Sequence, residues 1–170
     1  MEILIVGVII VALMVWTSTR IKRSAAAAFE AETIKADQFT LAKPNGWLSI
    51  VDPRKPYLFE AYTKDLGNAP NENIRLGNAS VEVSDGTMDE IAELATSDVE
   101  ITDDIREIVG EKHYRVIELT RTDDEIDRVE WLKFGKADGS VYTFSVKVLA
   151  DTTAEFRRDI EAMVDSFEIK

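Results

Sequence analysis

Apolar residues follow three rhythms along this chain. Positions 3–16 are almost all apolar, and positions 3–19 carry no charge. From Phe39 onward apolar and polar residues mostly alternate, the period-two signature of a strand with one buried face. In two windows, opening at Thr87 and Thr152, apolar residues instead recur every third or fourth position, as on an amphipathic helix.

The alternating stretches are short and mostly consecutive. Phe39-Thr40-Leu41 predicts a first strand, and Lys43-Pro44-Asn45-Gly46 a turn that delivers Trp47 and Leu48 into the next extended piece. Residues 57–62 are rich in aromatics and predict another strand. Residues 74–83 place Ala79, Val81 and Val83 on one face and Ser80 and Glu82 on the other. Residues 99–150 predict a meander of several strands. Within it Val129 and Trp131 alternate with Glu130 and Leu132, and Thr143, Ser145 and Lys147 with Tyr142, Phe144 and Val146. Asp138-Gly139 marks a hairpin turn, because both positions tolerate the left-handed backbone that a tight hairpin demands.

Thr87 followed three residues later by Glu90 fits a capping box and predicts a helix from Met88, with Met88, Ile91, Leu94 and Ala95 as its apolar stripe. Thr152 and Glu155 repeat that signature. The second helix then buries Phe156, Ile160, Met163, Val164 and Phe167 and runs to about residue 166. Together these elements predict an α+β fold: an antiparallel sheet of about six or seven strands covered by two helices, preceded by a single N-terminal transmembrane helix.

The membrane helix is the expectation for residues 1–19. Its uncharged run of seventeen residues would span about 25 Å as a helix, near the short limit for a hydrocarbon core. Trp16 falls where an interfacial aromatic belongs, and Arg20, Lys22 and Arg23 follow at once, able to lift their charges to the headgroups. Positive charge after the apolar run, with Glu2 before it, favours a retained anchor over a cleaved signal peptide. The same charges predict a cytoplasmic C-terminal domain on a bacterial inner membrane. Residues 20–37 are rich in helix formers and predict a helical stalk, leaving 38–170 as one soluble domain.

Charge sharpens this picture. The chain carries 32 acids against 20 bases, a net charge of −12, and three of those bases sit at positions 20–23. The soluble part is therefore strongly acidic and should repel nucleic acid, while suiting a basic patch on a protein. With no cysteine, disulfides, thiolate metal sites and cysteine nucleophiles are excluded.

Candidate chemistry is sparse. His113 is the only histidine, and Lys112-His113-Tyr114 in a strand reads as an exposed or edge-strand imidazole before it reads as a ligand or acid/base. Asp123, Asp124, Glu125 and Asp127 offer oxygens to a hard cation but lack the glycine and terminal glutamate of a calcium loop, so a solvated turn is expected. No nucleophile elbow or glycine-rich phosphate loop is present. Trp47 and Trp131 are expected in the core. No catalytic residue, cofactor, metal or small-molecule substrate is expected, and the only assigned site residues are Trp16, Arg20, Lys22 and Arg23 at the membrane interface.

Phe39-Thr40-Leu41 leading through Pro44-Asn45-Gly46-Trp47, the capped mid-chain helix, the hairpin region from Gly139 to Phe144 and the closing Met163-Val164-Asp165-Ser166-Phe167 resemble the PsbP-type fold family over residues 38–169. That family includes a photosystem II extrinsic protein, DcrB-like bacterial envelope proteins and chaperones for secreted effectors. The resemblance implies a non-catalytic accessory subunit that stabilises or helps assemble a larger membrane protein complex, with a photosynthetic reaction centre and its antenna as one candidate. The alternative it implies is a membrane-tethered binding module or chaperone for a hydrophobic client segment. Expected partners are the bilayer and other subunits of the complex.

Overall fold

The computed structural model describes residues 14, 16, 26–53, 55–67 and 73–170. Among the described residues ten strands and two fully described helices follow in the order β1 (Glu32–Lys35), β2 (Phe39–Lys43), β3 (Trp47–Ser49), β4 (Tyr57–Thr63), β5 (Gly77–Asp85), α1 (Met88–Ala95), β6 (Glu100–Val109), β7 (Lys112–Asp123), β8 (Ile126–Ala137), β9 (Ser140–Leu149), α2 (Thr153–Ser166) and β10 (Glu168–Ile169). Seven strands form one antiparallel sheet in the order β3-β4-β5-β9-β8-β7-β6. The α+β architecture, the antiparallel sheet and its two helices thus agree with the alternation and the two helical windows.

The strand inventory departs from expectation in two respects. β1, β2 and β10 form a second, three-stranded sheet instead of extending the first. Residues 32–35, expected to end a helical stalk, are β1: Thr33 and Ile34 are β-branched, and pairing with β2 lets Ile34 pack on the core. Local helix propensity lost to a tertiary contact there.

The large sheet has two unequal faces. On its inner face Val81, Phe144, Val146, Trp131 and Tyr114 meet Ile160, Met163 and Val164 of α2 and Phe39 and Leu41 of β2. Phe167 closes this core between Phe39, at 5.8 Å between ring centroids, and Phe144, at 5.2 Å. Trp47 and Trp131 are buried as expected. Gly135 is required here, since a Cβ would come within 2.8 Å of the Tyr114 ring. Tyr114 in turn accepts a hydrogen bond at its hydroxyl from the Ile169 amide, at 3.1 Å, tying β10 to the sheet.

Among the described residues only α1 is laid on the outer face, its Ala92 fully buried over Ile117, Leu119, Leu132 and Phe134. The Thr87 hydroxyl accepts from the Glu90 amide and the Glu90 carboxylate accepts from the Thr87 amide, so the capping box forms. The second one does not. A 3-10 turn, Ala150–Thr152, runs directly into α2, and the Thr152 hydroxyl donates back to the Leu149 carbonyl at 2.9 Å. At Asp138 and Gly139 the backbone has φ of 51° and 85°, as the expected hairpin turn requires.

Among the described residues no helix is long and apolar enough to cross a membrane. The expected transmembrane helix at 1–19 lies outside the described residues except for Met14 and Trp16, both helical and exposed.

Candidate functional site

Because α1 is only eight residues long, it covers β7, β8 and the start of β9, and among the described residues the rest of the outer face is open. The alternation of the central strands decides what is exposed there. Asn78, Ser80 and Glu82 of β5, Thr143, Ser145 and Lys147 of β9, Glu130 of β8 and Arg121 of β7 all point outward. Glu60 and Tyr62 of β4 extend the floor, while Ile50 and the exposed Leu94 of α1 stand at the rim. The result is a cleft of about 620 Å³.

Glu130 anchors its floor. It is 3% exposed and lies across the ladder from Lys147, whose ammonium is 3.2 Å from Oε1. Ser145 donates to the same oxygen at 2.8 Å. Arg121 faces the other oxygen at 3.7 Å, an ionic approach longer than a hydrogen bond, and donates from its guanidinium to the Ala95 carbonyl at 2.7 Å. Arg121 therefore ties the C-terminal end of α1 to the cleft, where a cation also suits the negative end of the helix dipole. Burying one carboxylate against two cations and a hydroxyl offsets its desolvation.

At the other wall Arg75 lies 4.7 Å over the Tyr62 ring and donates to the Lys64 carbonyl at 2.6 Å. The Tyr57 phenol is pushed up by burial first, then by the carboxylates of Glu82 and Glu60, so it remains a protonated donor through the physiological range. Three acids (Glu60, Glu82, Glu130) balance three bases (Arg75, Arg121, Lys147) along the lining. Such a surface offers donors and acceptors in mixed order beneath an apolar rim, a pattern suited to recognising a surface of mixed polarity.

The residues singled out in the sequence lie elsewhere. Trp16 is exposed, and Arg20, Lys22 and Arg23 lie outside the described residues. His113 is exposed at the start of β7, opposite Ile108, and lines a smaller hollow of about 300 Å³ with Asp89, Arg106 and Tyr114. Asp123 and Asp127 flank the β7–β8 turn, Asp127 accepting from the Thr122 hydroxyl at 2.6 Å and Asp123 meeting Arg128 at 3.5 Å. Among the described residues no group of three or more carboxylate or imidazole side chains could hold a metal ion.

The cleft residues escaped the sequence reading, although their signal was present. Ser80 and Glu82, and Thr143, Ser145 and Lys147, occupy one face of strands that prove central to the sheet, and a polar face on a central strand marks the side without an apolar layer packed on it.

This arrangement is similar to solved structures over more than four-fifths of the chain. The chain has the PsbP-type fold. Cyanobacterial PsbP from Synechocystis sp. PCC 6803 superposes with a TM-score of 0.59 at 14% identity, over 84% of this chain and 94% of that one. LpqN of Mycobacterium tuberculosis, described as involved in cell envelope biogenesis, gives 0.59 at 11% identity over 83% and 91%. The Ran-binding protein Mog1p of Saccharomyces cerevisiae gives 0.52 at 11% identity over 83% and 96%. No protein-family model and no curated protein matches the sequence. At these identities the PsbP-type likeness is one of fold.

Proposed function

We propose that this chain is a non-catalytic accessory subunit. In this reading residues 1–19 sit in the bilayer, Trp16, Arg20, Lys22 and Arg23 mark its cytoplasmic interface, and the acidic PsbP-type domain offers its outer face to another subunit of a membrane complex. The observation that carries the reading is the uncovered half of that face: a cleft with a polar, charge-balanced floor and an apolar rim at Ile50 and Leu94. The Ran-binding neighbour is an instance of this fold used to recognise a protein. A photosynthetic reaction centre with its antenna is the candidate assembly we propose to examine first.

Purification of membranes in mild detergent tests it. The chain should copurify with a defined set of subunits, and Leu94→Asp or Ser80→Arg should release it while its circular dichroism is unchanged. Undiminished copurification of both variants would place the contact off the cleft and end this reading. Carbonate-washed vesicles should retain the full chain, and loss of the chain to the supernatant would remove the anchor.

A second reading, a tethered chaperone that holds a hydrophobic client segment, is favoured by the exposed apolar rim itself. A chain starting at residue 26 separates the two, since a chaperone keeps its client without the anchor.

A further inference from the structure

We propose that β6 is a docking edge at which an extended, basic segment of a partner protein adds as a further antiparallel or parallel strand. The site is distinct from the cleft, and the inference does not depend on the function proposed there.

The two edges of the large sheet differ sharply. β3, at one end, has three residues, a short edge of the kind that resists unwanted pairing. β6, at the other end, has ten residues and pairs among the described residues with β7 alone. At about 3.3 Å per residue it exposes roughly 33 Å of strand, with alternate backbone amides and carbonyls directed away from β7. Its side chains are exposed along most of its length, including Ile101 at 44%, Ile105 at 51% and Ile108 at 65%.

Charge decides between occupants. β6 carries Glu100, Asp103, Asp104 and Glu107 against the single base Arg106. Asp104 is held by Arg115 and Glu107 by Lys133, whereas Glu100 and Asp103 form no ion pair among the described residues. A second copy of the chain pairing through β6 would bring these acids together, and like charges across a strand pair are destabilising. The same acids favour a basic strand, so they reject self-association while selecting the partner.

Side-chain alternation narrows the chemistry further. Beyond the register shift between Ile101 and Asp103, the residues Asp103, Ile105 and Glu107 share the inner face. A strand added there should present a basic, an apolar and a basic residue at alternate positions. That order reads the same in either strand direction, so orientation does not enter.

Amide hydrogen exchange of the full chain in mild detergent tests this with the peptide Thr-Lys-Thr-Val-Thr-Lys-Thr, acetylated and amidated, at about 1 mM. Alternate amides of β6 should exchange at least about threefold more slowly with the peptide present. Replacing both lysines of the peptide by glutamate, or N-methylating its alternate amides, should abolish that protection without altering the protein. Asp103→Lys should weaken it several-fold. Protection confined to the cleft, or no protection of β6, overturns the proposal. Protection of β6 that rises with protein concentration without peptide also overturns it, in favour of a second copy.

Discussion

Lys133 is a charged residue that is 1% exposed on the inner face of the sheet, and its surroundings explain why that is tolerable. Its ammonium donates to the Val164 carbonyl at 2.9 Å, meets Glu107 at 2.9 Å and lies 4.7 Å over the Tyr114 ring. One side chain thus satisfies a carbonyl near the end of α2 and fixes β6 to the core. Lys133→Met keeps the volume but leaves that carbonyl with only the long 3.3 Å bond from the Phe167 amide and leaves Glu107 without its cation, so stability should fall by about 2 kcal/mol, read from the urea midpoint. Lys43 works in the same way on irregular backbone, donating to the carbonyls of Ala28, Glu30 and Trp47 at 3.2, 2.7 and 2.7 Å. Neither lysine stands out in the sequence, where both fall in alternating strands. What makes them structural is the distant carbonyls that the fold brings to them.

At the scale of elements the two helices present the same sequence signature with different outcomes. The Thr87 cap bonds to the Glu90 amide, so Thr87→Ala should cost about 1 kcal/mol. Thr152→Ala removes no cap bond and should cost less than about half of that, the two urea curves being compared side by side. The difference arises because β9 delivers the chain to α2 through a 3-10 turn, which leaves the Thr152 backbone already helical. The α1, β6 and β7 elements are held together by Arg115, which binds Asp104 at 2.7 Å and Asp89 at 3.1 Å. The hydrogen bonds from Arg115 lower the Asp104 carboxyl, outweighing the opposing effect of burial. A carboxylate whose folded pKa is depressed adds stability that is complete above its unfolded value, near 3.9, and disappears as pH falls through the folded one. Asp104→Asn should therefore lose about 0.5 kcal/mol at neutral pH, a small effect because the Asp104 side chain is 35% exposed, and should flatten the acid limb of a stability profile below about pH 4.

Across the whole molecule the inner face is closed by segments from both ends of the described domain. β2 near its start and Phe167 with β10 at its end pack together, and the Lys170 amide donates to the Gln38 carbonyl at 2.8 Å. A chain ending at Ser166 loses the fully buried Phe167 and the β10 pairing, and it should lose its cooperative near-ultraviolet melting transition. From Phe39 to Ser166 alternation and spacing by themselves determined most element types, both helices and the hairpin meander, because those depend on periods of two and 3.6 residues read within a few neighbours. The same local signals could not tell that residues 32–35 pair with β2, where helix formers next to them pointed the other way, nor that β10 exists and draws β1 and β2 into a separate sheet, since its pairing with β2 spans more than a hundred residues and leaves no mark on either partner alone. Nor could they show the cleft. Polar faces on β5, β8 and β9 were legible as alternation, but only the tertiary structure decided that α1 is too short and too far along the sheet to cover them, and so left Glu130, Arg121 and Lys147 gathered beneath an open rim.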